Sequence, residues 1–290
     1  MTPKNVFGFM RFDRSVVDIT IRTDCVYNLT LLTGTGQIDL QILDDMSLSD
    51  LKIYSETGDI NVLCGNSVNI EDLVIETTTG NIDIDCGDDF QITNNTYIKS
   101  DTGNINFIPN KNSTFNNKLY FETDTGSIHF ISDHDSQIKS DLTALSDTGK
   151  IWMNLSNNEI GGNLYLSTDT GKIQLDMKSC NFTSTNYWWI NSSTGDLDLN
   201  IEQLESLQSD VLAKLKTSTG TFNVDFTCEA SLLGAKFDIK DQGTGSVKWD
   251  INGFTNSNPY TSSNYALAPN HINFELRTGT GDFKGNLASL

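Results

Sequence analysis

An eight-residue phrase recurs eleven times along this chain of 290 residues. Typical copies read SETGDINV, SDTGNINF and TDTGKIQL, and every copy contains a threonine followed by a glycine. Successive glycines are separated by 22 to 25 residues, except for a last interval of 36. A near-constant period of this length predicts a solenoid, in which equivalent residues of successive coils stack on one another. The glycines are Gly36, Gly58, Gly80, Gly103, Gly126, Gly149, Gly171, Gly195, Gly220, Gly245 and Gly281.

Each copy shows the alternation of a β-strand rather than the period of a helix. Apolar residues lie two and four positions after nearly every glycine, as Ile105 and Phe107 do, and a polar residue such as Asn106 separates them. A further apolar residue lies five positions before most of the glycines. Neighbouring residues of a strand point to opposite faces, so one set faces a core and the other faces water. The pattern predicts two short strands per coil, a sharp Thr-Gly corner between them and a second, more variable turn.

The predicted fold class is therefore all-β, a parallel β-solenoid of about eleven coils of 22–25 residues. A two-strand unit cannot bury its apolar side alone, whereas stacked coils bury it and pair their backbone groups with the coils above and below. At about 4.7–4.8 Å per coil, the coils would form a rod roughly 50 Å long. Residues 28–251 are assigned to the repeats, 1–27 to an N-terminal strand or cap, and 252–290 to an insertion loop, the last coil and a C-terminal cap. Residues 200–216 come nearest to a helical period, and a short helix or a long loop is expected there.

Charge and hydropathy exclude several classes of partner. The formal net charge is −19, whereas nucleic acids and anionic lipid surfaces attract clustered Lys and Arg. No run of 18 apolar residues is present, so no membrane insertion is predicted. Residues 1–15 lack the apolar stretch of a secretory signal. The expected location is cytoplasmic as the chain stands, and the cell surface or the exterior if a signal was removed.

The Thr-Gly corner has a structural interpretation. Glycine adopts the positive φ of a sharp corner without a steric penalty. A serine or threonine lies three residues before ten of the glycines, on the apolar side of the strand, where its hydroxyl must form a hydrogen bond to a neighbouring hydroxyl or to a corner carbonyl. The alternation of strand faces also predicts that the threonine directly before each glycine points inward. Stacked threonines could bind ice only if they faced outward, so ice binding is a minor alternative.

Two sets of residues are candidates for a binding role. Four acids two residues before their glycines should stack on consecutive coils, as a solvated stripe or as ligands for Ca²⁺; they are Asp101, Asp124, Asp147 and Asp169. Trp189 should face outward, and together with Trp152 it could stack on sugar rings. No catalytic residue and no cofactor is predicted. Cys64 and Cys86, both six residues after their glycines, should be neighbours on adjacent coils, as buried thiols or, less favoured, as a disulfide.

The recurring S/T-x-T-G-x-I-x-V phrase resembles that of the adhesin-like family of domains of unknown function, over about residues 28–283. The resemblance implies a right-handed solenoid of repeated β-strands and a role in adhesion without an assigned site. The architecture also resembles that of bactofilins, which stack short β-coils and polymerise end to end.

The predicted function is accordingly that of a non-catalytic structural or adhesin-like rod with a rigid acidic surface. Its expected partner is a protein or a glycan, or a second copy joined through the solenoid ends, where strand edges are unpaired. The alternatives are a carbohydrate-active β-helix enzyme, either a lyase or a hydrolase, and an ice-binding protein.

Overall fold

The computed structural model describes the backbone of residues 9–12 and both backbone and side chains of residues 25–132 and 135–290. These residues form 29 strands and no helix. In chain order the strands are β1 (Phe9–Phe12), β2 (Val26–Thr35), β3 (Ile38–Ile42), β4 (Ser47–Thr57), β5 (Ile60–Cys64), β6 (Asn69–Thr79), β7 (Ile82–Cys86), β8 (Gln91–Ile92), β9 (Thr96–Thr102), β10 (Ile105–Ile108), β11 (Thr114–Phe115), β12 (Leu119–Thr125), β13 (Ile128–Ser132), β14 (Gln137–Ile138), β15 (Leu142–Thr148), β16 (Ile151–Ser156), β17 (Glu159–Ile160), β18 (Leu164–Thr170), β19 (Ile173–Lys178), β20 (Asn181–Phe182), β21 (Asn186–Thr194), β22 (Leu197–Gln203), β23 (Val211–Thr219), β24 (Phe222–Cys228), β25 (Gly234–Asp241), β26 (Val247–Asn252), β27 (Tyr260–Thr261), β28 (His271–Thr280) and β29 (Phe283–Ser289).

The strands form two sheets that meet at the Thr-Gly corner. The strands before each corner belong to an 18-stranded sheet, and the strands after each corner belong to an 11-stranded sheet. Equivalent residues pair in parallel, as Ile105 does with Ile82 on one side and Ile128 on the other. The predicted fold class, an all-β parallel solenoid, is thereby confirmed.

The predicted coil count is slightly too high, because about nine turns follow one another in chain order. After β24 the order inverts: β29 lies between β24 and β26, and β28 lies between β23 and β25. Residues 234–252 therefore form the outermost coil. The chain then returns through residues 253–270, and residues 271–289 form the coil that lies beneath it. The 36-residue interval before Gly281 is the trace of this return in the sequence.

The second turn of each coil is more regular than predicted. Five coils carry an additional two-residue strand after it, so these coils have three strands rather than two; the strands are β8, β11, β14, β17 and β20. Seven successive coils place a residue other than glycine at a φ between 48° and 60° in this turn. All seven are Asp, Asn or Ser, and the short side chains of Asp and Asn tolerate the left-handed region. They are Asp45, Ser67, Asp89, Asn112, Asp135, Asn157 and Ser179.

Buried apolar columns hold the coils together. Phe107, Phe121 and Phe130 are fully buried, and their ring centroids lie 5.6 to 5.7 Å apart. Burying such a side chain contributes about 1.5–3 kcal/mol, whereas an exposed ion pair contributes about 0–1 kcal/mol. The apolar columns therefore dominate the stability of the rod.

The corner confirms the predicted hydroxyl ladder. The buried hydroxyl of Ser100 donates a hydrogen bond to the carbonyl of Gly80 at 2.9 Å, and that of Thr217 donates to Gly195 at 2.9 Å. The prediction for the threonine directly before each glycine is wrong, because Thr102 and its equivalents are exposed. The alternation of strand faces ends at the corner, where most of the glycines take a positive φ.

Two further expectations are settled by the strands. Residues 200–216 form the end of β22, a loop over 204–210 and the start of β23, so a helix there is wrong and the loop is correct. Cys64 pairs in register with Cys86, and both are buried free thiols, which confirms that they are neighbours and not a disulfide.

The two ends of the rod differ. At the C-terminal end, β27 pairs antiparallel with β25, and Phe254 packs on Phe226 and Phe237. Near the N-terminus, β1 pairs in parallel with β2, and the rest of the predicted cap, residues 1–8 and 13–24, lies outside the described residues. Self-association through the ends stays a prediction.

Candidate binding surface

Aromatic side chains form a column on the outer face of the 18-stranded sheet. Tyr97, Tyr120, Tyr165 and Trp189 occupy the same position of four coils, and Thr143 lies in that position between Tyr120 and Tyr165. We call these four aromatic residues the aromatic column. Each side chain points away from the core because its two strand neighbours point into it, as the buried Trp188 and Ile190 do around Trp189. The column therefore runs along the rod axis, across the strands.

The rings of the column differ in exposure. The rings of Tyr97 and Tyr120 stack with centroids 5.3 Å apart and planes 10° apart, and both residues are half-buried. Trp189 is 51% exposed, and Tyr187 beside it on the same strand is 52% exposed. Trp189 is thus the most accessible ring of the column.

Hydrogen bonds fix the N-terminal part of the column. The Tyr120 hydroxyl donates to Glu122 at 2.7 Å, and Lys99 lies 3.1 Å from the same carboxylate. The bond from Tyr120 and the Lys99 ammonium lower the pKa of Glu122, against the effect of its burial. Burial and the bond to Glu122 raise the pKa of Tyr120 to about 12. These contacts hold the two tyrosine rings in one orientation.

The column leads into a groove with a volume of about 700 Å³ on the same face. The groove lies over β21, β23, β28 and β25, and the residues that line it include Trp189, Lys214, Lys216, Asp241, Glu275 and Arg277. We call it the basic groove. The inverted coil order creates it, because β28 brings Glu275 and Arg277 beside β23.

In the described part of the chain, the cations of the basic groove form no close ion pair, although Asp241 lies in register with Arg277 and Glu275 lies in register with Lys214. Lys216 pairs in register with Arg277 on the adjacent strand, so two positive side chains are direct neighbours. Among the residues that the structure describes, neither these two nor Lys214 forms an ion pair within 4 Å. All three side chains are exposed. Like charges opposite each other on neighbouring strands are destabilising, so this pair is a local electrostatic conflict.

Trp152 and Trp189 do not come together. Trp152 lies on β16 of the 11-stranded sheet and faces outward on a different side of the rod. Its indole N–H donates to Asp176 at 2.6 Å, and the ammonium of Lys150 lies 4.9 Å from its ring centroid. The ring of His129 packs edge-on against it at 5.6 Å. The indole N–H of Trp152 is thus already hydrogen-bonded within the protein, which favours a structural role for Trp152.

The predicted acidic column lies at the exposed edge beside the corner. Asp124, Asp147 and Asp169 are exposed, and Asp101 lies 3.5 Å from the ammonium of Lys99. Within residues 25–132 and 135–290, no three His, Cys, Asp or Glu side chains are close enough together to hold a metal ion. Calcium binding by this column stays a prediction.

Trp189 was predicted from the sequence as a binding residue, but the other three members of the aromatic column were not. The signal was present, because each of the four lies six residues before its Thr-Gly glycine. The basic groove had no such signal, since it joins residues 214–216 to 275–277 through the inverted coil.

No family model matches the chain, and no curated protein or solved structure is detectably similar to it. In the portion of the chain that the structure covers, no helix is long and apolar enough to cross a membrane.

Proposed function

We propose that this protein is a non-catalytic binding rod that holds a polysaccharide against the outer face of its 18-stranded sheet. The observation that supports the proposal is the aromatic column, four rings in one position of the repeat that lead into the basic groove. Polar residues are the usual occupants of a solvent-facing strand position. Aromatic rings there offer apolar surface, which the C–H faces of sugar rings can cover.

The dimensions favour an extended, repeating ligand. Tyr97 and Trp189 are separated by four coil intervals, which at about 4.8 Å per coil span about 19 Å. A ligand along this line crosses the strands and meets an equivalent position on every coil. A polysaccharide chain, with one sugar ring after another, has this form.

Rigidity favours the same role. The aromatic side chains stand on strands that pair on both sides, and the bonds of Tyr120 to Glu122 and of Glu122 to Lys99 restrain the rings. A surface that is already ordered loses little conformational entropy on binding. Such a rod can present a site without a closing movement, as an adhesin-like protein must.

The test is binding to a glycan array, followed by calorimetric titration of the polysaccharides that bind. We expect Trp189→Ala to weaken binding by roughly tenfold, since an aromatic contact contributes about 0.5–1.5 kcal/mol beyond the area it buries. Trp152→Ala is the matched control, because it removes an outward indole from the other sheet and should leave the affinity unchanged. Wild-type affinity in the Trp189→Ala variant, or an array without a single bound glycan, would refute the proposal.

A carbohydrate-active enzyme is the second candidate. The observation in its favour is that the carboxylates of Asp241 and Glu275 both line the basic groove. Glycoside hydrolysis uses a pair of carboxylates on either side of the scissile bond. Release of reducing ends or of unsaturated sugars from a bound polysaccharide, abolished by Asp241→Asn or Glu275→Gln, would replace the binding proposal with this one.

A further inference from the structure

We propose that the basic groove selects polysaccharides that bear carboxylate groups, and that Lys216 and Arg277 are the residues that recognise them. This inference rests on the proposed function, since it names the chemistry of the ligand that the aromatic column holds. It starts from the electrostatic conflict between the two side chains, which face each other across β23 and β28.

A carboxylate between Lys216 and Arg277 would remove that conflict. The planar guanidinium of Arg277 can donate two parallel hydrogen bonds to one carboxylate, and the ammonium of Lys216 adds a point charge. Hydrogen bonds to charged groups are roughly twice as strong as neutral ones. Lys214, on the same strand as Lys216, adds a third positive charge beside Trp189.

A second pair of exposed cations, Lys248 and Lys284, offers a comparison for the pair in the groove. On the 11-stranded sheet, Lys248 pairs in register with Lys284, but Lys284 has its own partner in Asp282 at 3.1 Å. Among the described residues, neither Lys216 nor Arg277 forms an ion pair within 4 Å, although Asp241 lies in register with Arg277 on β25. The groove therefore leaves its cations available to a ligand.

The negative charge of the whole chain does not prevent this recognition. At physiological ionic strength, charges in solvent are largely screened beyond about 8 Å. The carboxylates nearest to a bound anion are those of Asp241 and Glu275, which also line the groove. Their repulsion restricts a bound carboxylate to the space between Lys216 and Arg277. The groove therefore distinguishes ligands by the positions of their charged groups.

The experiment compares matched acidic and neutral polysaccharides on the full chain. The pairs are polygalacturonate with its methyl ester, alginate with its propylene glycol ester, and carboxymethylcellulose with hydroxyethylcellulose. For the pairs that bind, we expect the acidic member to bind roughly tenfold more tightly, as hydrogen bonds to a charged group allow. The double variant Lys216→Gln/Arg277→Gln should lose this preference and retain the affinity of the neutral member.

The variant Lys248→Gln/Lys284→Gln is the control, because it removes the same charge from an equivalent pair of neighbouring strands. It should keep the full acidic preference. Equal affinity for both members of each pair would overturn the inference and leave the proposed function intact. Loss of binding to neutral polysaccharides in Trp189→Ala, together with an unchanged acidic preference in Lys216→Gln/Arg277→Gln, would overturn it as well. An absence of binding to every pair would refute both proposals.

Discussion

The close approach of the corners leads to a quantitative prediction for three glycines. At Gly126 the φ is +154°, and an added Cβ atom would overlap the carbonyl oxygen of Gly103. At Gly36 the φ is +124°, and an added Cβ would meet no atom of the described residues within 4 Å. At Gly171 a Cβ would overlap the carbonyl oxygen of Gly149, while the backbone lies outside the positive-φ region. The three sites therefore separate backbone strain from steric overlap.

The magnitudes follow from these geometries. Gly36→Ala should cost about 1–3 kcal/mol, the range for a residue held in a backbone conformation that suits only glycine. Gly171→Ala should cost about 1–3 kcal/mol, the range for overpacking. Gly126→Ala combines both and should cost about 2–6 kcal/mol. The overlap acts by forcing neighbouring corners apart, which at Gly126 threatens the hydrogen bond from Thr123 to the Gly103 carbonyl at 3.1 Å.

The assay is equilibrium unfolding in urea, followed by far-ultraviolet circular dichroism, for the wild type and the three variants. The free energy of unfolding should fall in the order wild type, the two single-cause variants and then Gly126→Ala. Wild-type stability in Gly171→Ala would refute the argument that the approach of neighbouring corners requires glycine. Equal losses in Gly36→Ala and Gly126→Ala would show that backbone strain alone is responsible.

Two further predictions concern the buried polar groups and the thiols. Ser146→Ala should destabilise the protein by about 1–3 kcal/mol, because it leaves the Gly126 carbonyl without the 3.0 Å hydrogen bond from the Ser146 hydroxyl. The control is Ser55→Ala, which removes a hydroxyl without a described hydrogen-bond partner and should change the midpoint of urea unfolding little. Equal shifts of the midpoint in the two variants would contradict the role of the hydroxyl ladder. The four buried cysteines, Cys64, Cys86, Cys180 and Cys228, should not react with an aromatic disulfide reagent at pH 8 until the protein unfolds. Burial raises the pKa of Cys180 to about 12 and that of Cys228 to about 11, and only the thiolate form reacts with the reagent. Rapid reaction of these thiols in the native protein, measured by absorbance, would contradict their burial.

Most of the fold could be predicted because each coil repeats the same local constraints. The Thr-Gly corner, the apolar columns and the buried hydroxyls act within one coil or between equivalent residues of two coils. A prediction for Ser100 or Ile105 therefore holds for most members of its column, and Ser55 is an exception. The exposed threonines were missed because the alternation of strand faces ends at the Thr-Gly corner.

The inverted order of the last two coils could not be predicted. The repeats around Gly245 and Gly281 have nearly the same strand pattern, so the sequence does not show which of them pairs with the coil beneath. Contacts outside the repeat accompany the inversion, among them the antiparallel pairing of β27 with β25 and the stacking of Phe237 on Phe274 with centroids 4.4 Å apart. The basic groove depends on this order. Its key pair, Lys216 and Arg277, is 61 residues apart in the chain and adjacent in the sheet.

The inverted order also has a consequence for synthesis. Residues 234–252 leave the ribosome before residues 271–289, although the later segment must lie beneath the earlier one. The coil of β23 and β24 must therefore either remain uncovered until the later segment has been made, or pair first with β25 and β26 and then separate from them. In both cases an apolar surface stays available to chaperones or to other nascent chains for the time needed to translate about 40 more residues, which at about 5–20 residues per second is a matter of seconds.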